Sequence, residues 1–252
     1  MRFLKLAIIA ACSVLAVASW TAGGRAASSL HLACNDFPPH KIERPAEDGL
    51  LGFDIDIVAE ALKRIGWSAD ISFLPWKRAL ELAGRGEYDG LCSCSYAKGR
   101  EAKLLFSDEL GAVSVGLFVR SADALAGVAT IADLKGRKVA TVGGYNLESE
   151  LTDAGALVEA TSSDKSALDM LLGRNVDVLY GYELTTKHFI RSDPRSASIV
   201  YKEVRRNPYY FCLSRAMPGA DEAMQSFNRS LSEMAADGSI KHILDQYHVT
   251  FR

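Results

Sequence analysis

Apolar positions along this chain alternate between two spacings, and the order of the spacings predicts its architecture. "SSLHLACND" (28–36) reads as a short strand ending in a polar turn. A loop rich in proline and charge follows, "FPPHKIERPAEDGLLG" (37–52). Then "FDIDIVAEALKRIG" sets Ile55, Val58, Ala59, Leu62 and Ile65 at helical spacing, with Gly66 as its stop. "ADISFL" predicts a second strand, "WKRALELAGRG" a helix opening just after Pro75, and "YDGLCSCS" a third strand. This β-α-β-α-β order implies an α/β protein with parallel strands and helices on the sheet faces.

The second half repeats the scheme. "DLKGRKVATVGG" gives a strand and a glycine turn. "YNLESELTDAG" gives a helix whose expected cap is Asn146, with Glu148 and Glu150 in or near the first turn, where negative charge is favourable. "ALVEAT" is a strand, "SDKSALDMLLGR" a helix capped by Ser163 or Asp164, and "VDVLYGY" a strand. The stretch "ALELAGRGEYDGL" (79–91) aligns without gaps on "ALDMLLGRNVDVL" (167–179), with Asp89 opposite Asp177, so two similar lobes are expected. "AVSVGLFVRS" and "NPYYFCLSR" read as extended crossovers between them. In the last segment Ala223, Phe227, Leu231 and Met234 keep roughly helical spacing until Gly238. If the chain crosses twice, these last helices return to the first lobe. The expected division is residues 27–112 in lobe 1, 113–208 in lobe 2 with the hinge crossings at its ends, and 209–252 back in lobe 1.

The first residues change the picture of compartment. "MRFLKLAIIAACSVLAVASW" sets Arg2 and Lys5 before an apolar run and small residues, the pattern of a secretory signal peptide over 1–26, with cleavage after Ala26. A lipoprotein site at Cys12 ranks second. No later segment is apolar enough to span a bilayer, so an exported, soluble, periplasmic protein is expected. Removing Arg2, Lys5 and Arg25 from the 29 basic residues leaves 26 against 31 acidic ones, or about −5, which argues against nucleic acid as a partner. Cys34, Cys92, Cys94 and Cys212 then remain. Export permits disulfides, and four cysteines allow three pairings; buried free thiols are the alternative to one disulfide.

In open parallel sheets, ligands bind beyond the carboxyl ends of the strands. Those ends deliver Asn35, Asp36 and Phe37, then Trp76, then Ser93, Ser95 and Arg100. From the second lobe come Gly144, Tyr145 and Asn146 at a helix start, which attracts anions, and Tyr182 with Glu183. Arg100 stands out, because a planar guanidinium holds a carboxylate through two parallel hydrogen bonds.

Six motifs in order carry a family resemblance: "FPPH", "GFDIDIVAEALKRIGW", "PWKRALELAGRGEYDGL", "GREAKLLFSDEL", "DLKGRKVATVGG" and "MAADGSIKHILDQY". Across nearly all of residues 29–248 the chain resembles the periplasmic solute-binding proteins of ABC importers, in the group that binds polar amino acids. The resemblance implies a two-lobed, type II-like periplasmic binding protein fold with two hinge strands and ligand in the cleft. It implies that Arg100, six residues before Phe106-Ser107, clamps a ligand carboxylate, with Ser93 and Ser95 beside it. It implies that Phe37 and Trp76 sandwich the ligand side chain, a wall suited to an apolar or cationic group. Two positions depart from the family pattern: Ala97 stands where threonine is frequent, and Tyr182 where amino-acid binders carry the aspartate that grips the α-ammonium. Glu183, next in a strand, is expected to point away, leaving Asp36 as the substitute.

The leading expectation is a monomeric binding protein, without cofactor and without catalysis. It would capture a small carboxylate-bearing solute, an amino acid or a derivative, and hand it to an inner-membrane ABC permease. One alternative is a secreted cyclohexadienyl dehydratase-like enzyme on the same scaffold, which needs a general acid near the ligand. Another is a sensory module, which, free-standing, would need a separate signalling partner.

Overall fold

The computed structural model describes residues 28–47 and 49–249. The expected signal peptide, its cleavage after Ala26 and the Cys12 site lie outside the described residues. The strand and helix order over the first half is the predicted one: β1 (Ser28–Cys34), α1 (Phe53–Arg64), β2 (Trp67–Phe73), α2 (Trp76–Gly84) and β3 (Gly90–Ser95). A long strand β4 (Leu104–Val119) leads to β5 (Lys138–Val142), α3 (Asn146–Asp153), β6 (Leu157–Thr161), α4 (Asp164–Leu172), β7 (Val178–Tyr182) and α5 (Glu183–Ser192). A second long strand β8 (Val200–Ser214) returns the chain to α6 (Ala220–Ala236) and α7 (Ser239–Gln246).

The strands join in the order β2-β1-β3-β8-β4-β7-β5-β6. β1 pairs in parallel with β2 and β3, and β5 in parallel with β6 and β7, so each end of the sheet is a three-stranded parallel unit. Between them β4 and β8 run antiparallel along their whole lengths, from Leu104 opposite Ser214 to Val119 opposite Val200. The protein is therefore two-lobed, and its two lobes share one backbone ladder. The matched segments of the two halves occupy equivalent places. The amide of Asp89 donates to the carbonyl of His31 in β1, and that of Asp177 to Lys138 in β5 (2.8 and 3.2 Å).

The C-terminal helices do return to the first lobe. Ser230 Oγ of α6 donates to the Ala61 carbonyl of α1 (2.9 Å), and Arg64 reaches both Asp237 and Ser239 (2.7 Å each). Ala223, Phe227, Leu231 and Met234 are all buried, and Phe227 packs on Phe211 with ring centroids 4.4 Å apart. Other expectations need correction. Ala59 is exposed, and the buried stripe of α1 runs instead through Phe53, Asp54, Ile57, Val58, Ala61 and Leu62. Tyr145, not Asn146, is the cap of α3, because Asn146 turns its amide inward to other partners. Ser163 rather than Asp164 caps α4, accepting from the Ser166 amide. Helix α5 and the first half of β8 have no clear signature in the sequence pattern.

All four cysteines of the described chain are paired, Cys34 with Cys92 and Cys94 with Cys212. This goes beyond the single disulfide weighed from sequence. β3 lies between β1 and β8, so consecutive cysteines on its length meet partners on opposite sides. The two bonds fix β3 laterally on both edges, directly beside Ser93 and Ser95. Closing a loop as long as the one between Cys94 and Cys212 should lower unfolding entropy substantially, so C94S/C212S is expected to lose about 2–5 kcal/mol of stability in urea denaturation. Intact-mass thiol labelling of the denatured, unreduced wild type should find no free thiol at these four positions.

Candidate functional site

The site begins with the proline-rich loop after β1. Phe37 and Lys41 pair across a tight turn, with the Lys41 and His40 amides both donating to the Phe37 carbonyl (2.9 Å). The loop then delivers its own carbonyls to the start of α1: Pro39 and His40 accept from the amides of Phe53 and Asp54 (3.2 and 3.0 Å). Gly52 makes this approach possible. Its φ is 109°, and a Cβ there would lie 2.3 Å from the His40 carbonyl oxygen. The result places His40, Lys41 and Asp54 together in the interior, 1%, 4% and 0% exposed.

A small, partly open cavity of about 40 Å³ lies between the lobes. Phe37, Trp76, Tyr145 and Tyr182 form aromatic walls, with Tyr145 edge-on to the other three and Phe37 edge-on to Tyr182. Arg100 reaches in from the turn after β3. Its guanidinium donates to the Ser95 carbonyl of one lobe (2.5 Å) and the Gly144 carbonyl of the other (2.6 Å), and lies 5.5 Å from the Trp76 ring centre. Burial pulls its pKa below the ordinary arginine value. No carboxylate of the described residues pairs with it.

Lys41 enters from the loop after β1. Its ammonium donates to Ser93 Oγ (3.0 Å) and lies over the rings of Phe37 (5.1 Å) and Trp76 (5.8 Å). Burial lowers its pKa to about 8, against the raising influence of Asp54, Asp164 and Asp36. Asp54 is already engaged: Ser93 Oγ donates to one oxygen (2.6 Å) and His40 Nδ1 meets the other (3.2 Å). Two buried polar atoms on the cavity wall, Asn35 Oδ1 and His40 Nε2, have no hydrogen-bond partner among the described residues.

Most of the residues expected from sequence therefore meet here: Arg100, Ser95, Ser93, Trp76, Phe37, Tyr145, Asn146 and Tyr182 all line the cavity. Their roles differ in three respects. Gly144 offers its carbonyl rather than its amide, to Arg100 and to Trp76 Nε1 (2.8 Å); the amide is taken by the Glu148 carboxylate (2.6 Å). The Tyr145 amide donates to Val142, so two amides expected to await an anion are used. Asp36 does not reach the cavity. It is exposed, accepts from the Glu43 amide (3.0 Å), and lines an outer groove with Asp164 and His188.

Tyr182 does face inward, with its hydroxyl donating to Asn146 Oδ1 (2.7 Å) and meeting Ser95 Oγ (3.1 Å). Asn207 of β8 completes this chain across the lobes, donating to Ser95 Oγ (2.6 Å) and accepting from Asn146 (3.0 Å). Glu183 is absent from the cavity lining, but as the first residue of α5 rather than a strand residue, and it pairs with Lys187 one turn on.

Sequence reasoning passed over Lys41, Asp54 and Tyr209 as cavity residues, and Asn207 as the side chain that supports Ser95 and Asn146 beside it. One signal was available: Asp54 falls on the buried stripe of α1 at helical spacing from Val58 and Ala61, and an acid there needs partners.

Two parallel-stranded lobes, joined by paired hinge strands and closed on a cavity lined by aromatic and charged side chains, define a type II periplasmic-binding fold. The chain matches the bacterial extracellular solute-binding proteins, family 3, over residues 31–250, and it belongs to that family. It is 26% identical to the L-cystine-binding protein TcyA of Bacillus subtilis (strain 168) over 197 residues, 78% of this chain and 72% of that protein. Among solved structures it resembles an ancestral arginine-binding protein bound to arginine, with TM-score 0.73 and 22% identity over 87% of this chain and 97% of the other. It also resembles an ancestral amino acid-binding protein described as a precursor of cyclohexadienyl dehydratase, with TM-score 0.72 and 18% identity over 87% and 95% of the two chains. The two structural likenesses carry the fold alone.

Two predictions follow from the buried charges. Removing Asp54 leaves Ser93 and His40 without their acceptor and Lys41 without its nearest compensating charge. D54A should therefore cost about 3–5 kcal/mol in urea denaturation. Asp164 is buried beneath the Tyr145 hydroxyl, which donates to it (2.8 Å), and burial raises its pKa to about 7. The folded state thus keeps this proton up to about pH 7, whereas an unfolded aspartate releases it near pH 4. Stability should fall as pH rises between those values, and a melting-temperature series should show wild type losing ground to D164N over that window and levelling off above it.

Proposed function

We propose that this protein captures a small carboxylate-bearing solute, an amino acid or a related acid, outside the cytoplasm and delivers it to an ABC permease. One observation carries the reading. Arg100 holds a part-buried guanidinium at the junction of the lobes, with carbonyls around it and no carboxylate of the described residues to neutralise it. A buried cation without a paired anion is costly, and a ligand carboxylate removes that cost. Contacts from both lobes to one ligand favour the closed state over the open one, which is capture by hinge closure. Family membership and the aromatic walls support the same reading.

In this proposal residues 1–26 are the export signal, the mature monomer works in the periplasm, and no cofactor takes part. Residues 27–112 and 209–252 form the first lobe, and 113–208 the second. Ser93, Ser95, Trp76, Phe37, Tyr145, Asn146 and Tyr182 shape the pocket around Arg100, with Gly144 fixing the guanidinium from the second lobe.

A second reading has one specific observation behind it: His40, Lys41 and Asp54 put three buried titratable groups in the cavity lining. That inventory could serve a dehydratase acting on cyclohexadienyl acids. Turnover of prephenate or arogenate by purified protein, lost on H40A, would favour it; absence of turnover favours pure binding.

R100A is expected to fold and to lose about 2–5 kcal/mol of solute affinity, roughly 30-fold or more, by calorimetry on whichever solute a thermal-shift screen selects. Wild-type affinity in R100A would remove the carboxylate clamp. Tyr182→Asp should move preference toward α-amino acids, checked across the same panel.

A further inference from the structure

We infer that the bound solute carries two anionic groups, one held by Arg100 and the other by Lys41. The inference rests on the reading of the cavity as a solute site and names the class of solute.

The first argument is charge. Arg100 and Lys41 lie over the same indole, 5.5 and 5.8 Å from its centre, so their separation cannot exceed the sum of those distances. Neither makes an ion pair among the described residues. Asp54 is the sole carboxylate among the described cavity-lining residues, and both its oxygens already have partners in Ser93 and His40. The lining thus carries two cations against one anion, Asp54, whose hydrogen-bonding positions are taken by Ser93 and His40. Lys41 has no carboxylate within salt-bridge distance among the described residues, and its ammonium donates to Ser93 Oγ (3.0 Å).

The second argument is what the walls exclude. Ring faces of Phe37 and Trp76 attract cations, but the cations over them are the protein's own. A ligand ammonium or guanidinium entering this space would meet Lys41 and Arg100, with no uncommitted acid among the described lining residues to receive it. Tyr182 offers a hydroxyl whose proton goes to Asn146. A donor on the body of the solute, an N–H or an O–H, has a neutral acceptor in Asn35 Oδ1.

The third argument is spacing. Lys41 is fixed on Ser93, and Arg100 on the carbonyl of Ser95. Two residues along a strand advance about 6–7 Å. Anionic ends on a short chain, such as a small aliphatic dicarboxylate, span that interval.

Calorimetry on the purified wild type tests this with malonate, succinate, glutarate and adipate, each beside its monoamide, and glutamate beside glutamine. At least one diacid should bind, and its monoamide should bind at least about 10-fold more weakly, the effect of losing one charge-assisted contact. In K41Q the diacid should fall to the affinity of the monoamide. Ligand-free K41Q is expected to lose some stability, because Asp54 loses the neighbouring charge that Ser93 bridges to it, so its affinities are read at a temperature where its melting curve shows it folded.

A monoamide bound as tightly as its diacid overturns the inference. So does a diacid preference that survives in K41Q, or the failure of every diacid to bind. R100A separates the two claims: if it loses diacid and monoamide together while K41Q loses only the preference, both stand. If R100A keeps wild-type affinity while K41Q loses it, the Arg100 clamp fails and the Lys41 subsite remains.

Discussion

The structure is organised around the cost of burying Arg100 and Lys41. Each is a full positive charge removed from bulk water and denied an ion pair among the described residues. What the fold supplies instead is partial compensation: carbonyls of Ser95 and Gly144 for the guanidinium, Ser93 for the ammonium, and ring faces for both. These neutral partners reduce the desolvation penalty without cancelling the charge. Much of the rest serves to hold them at their positions. The disulfides fix β3, which bears both serines. Gly52 lets the 37–41 loop press on α1, and the hinge ladder brings Gly144 within reach of Arg100.

The same compensation couples the lobes. Gly144 belongs to the second lobe, while Arg100 and Trp76 belong to the first, and all three meet at one carbonyl oxygen. Tyr145 donates to Asp164 on its own lobe and accepts from Asn35 on the other (3.2 Å). Ser95, Asn207, Asn146 and Tyr182 form a second polar chain across the junction. Closed contacts of this kind are made of single hydrogen bonds, each worth about 0.5–1.5 kcal/mol net. They hold the lobes together weakly, so a ligand that neutralises a buried cation can decide the balance between closed and open states.

Much of the fold was legible in the sequence because its elements are regular. Period-3.6 stripes mark α1, α2 and α6, and alternating or continuous apolar runs mark the inner strands. Helix α5 was not, because its buried face is built from Thr185 and Thr186, which carry no apolar signal. The site divided along a similar line. Arg100, Trp76 and Tyr182 were found because strand ends point into a cleft. Lys41 was passed over because a lysine in a proline-rich loop ordinarily faces water. Only the backbone bonds from Pro39 and His40 to the start of α1 turn this loop inward, and those bonds depend on pairing between segments that the linear pattern does not connect. Asp36 failed for the opposite reason: it stands at a strand end, but the turn that buries Asn35 and Phe37 on either side directs its carboxylate outward.

The departure at Tyr182 then gains a physical meaning. An aspartate at that position would be shorter by the length of the ring and would stop short of Ser95 and Asn146, but it would add a negative charge to the junction that Arg100 occupies. The positive charge of the clamp would then be shared between an internal acid and the ligand. An ammonium on the ligand offsets such an acid, which is why the acid suits a zwitterion. Tyrosine instead keeps the hydrogen-bond geometry across the lobes, through Ser95 and Asn146, and adds no negative charge. Lys41 adds a second positive charge over the Trp76 ring, so the electrostatic sum of the lining favours a ligand of net negative charge. Tyr182 and Lys41 are distant in sequence and act on the same electrostatic sum, so the identity of one constrains which ligands the other can serve.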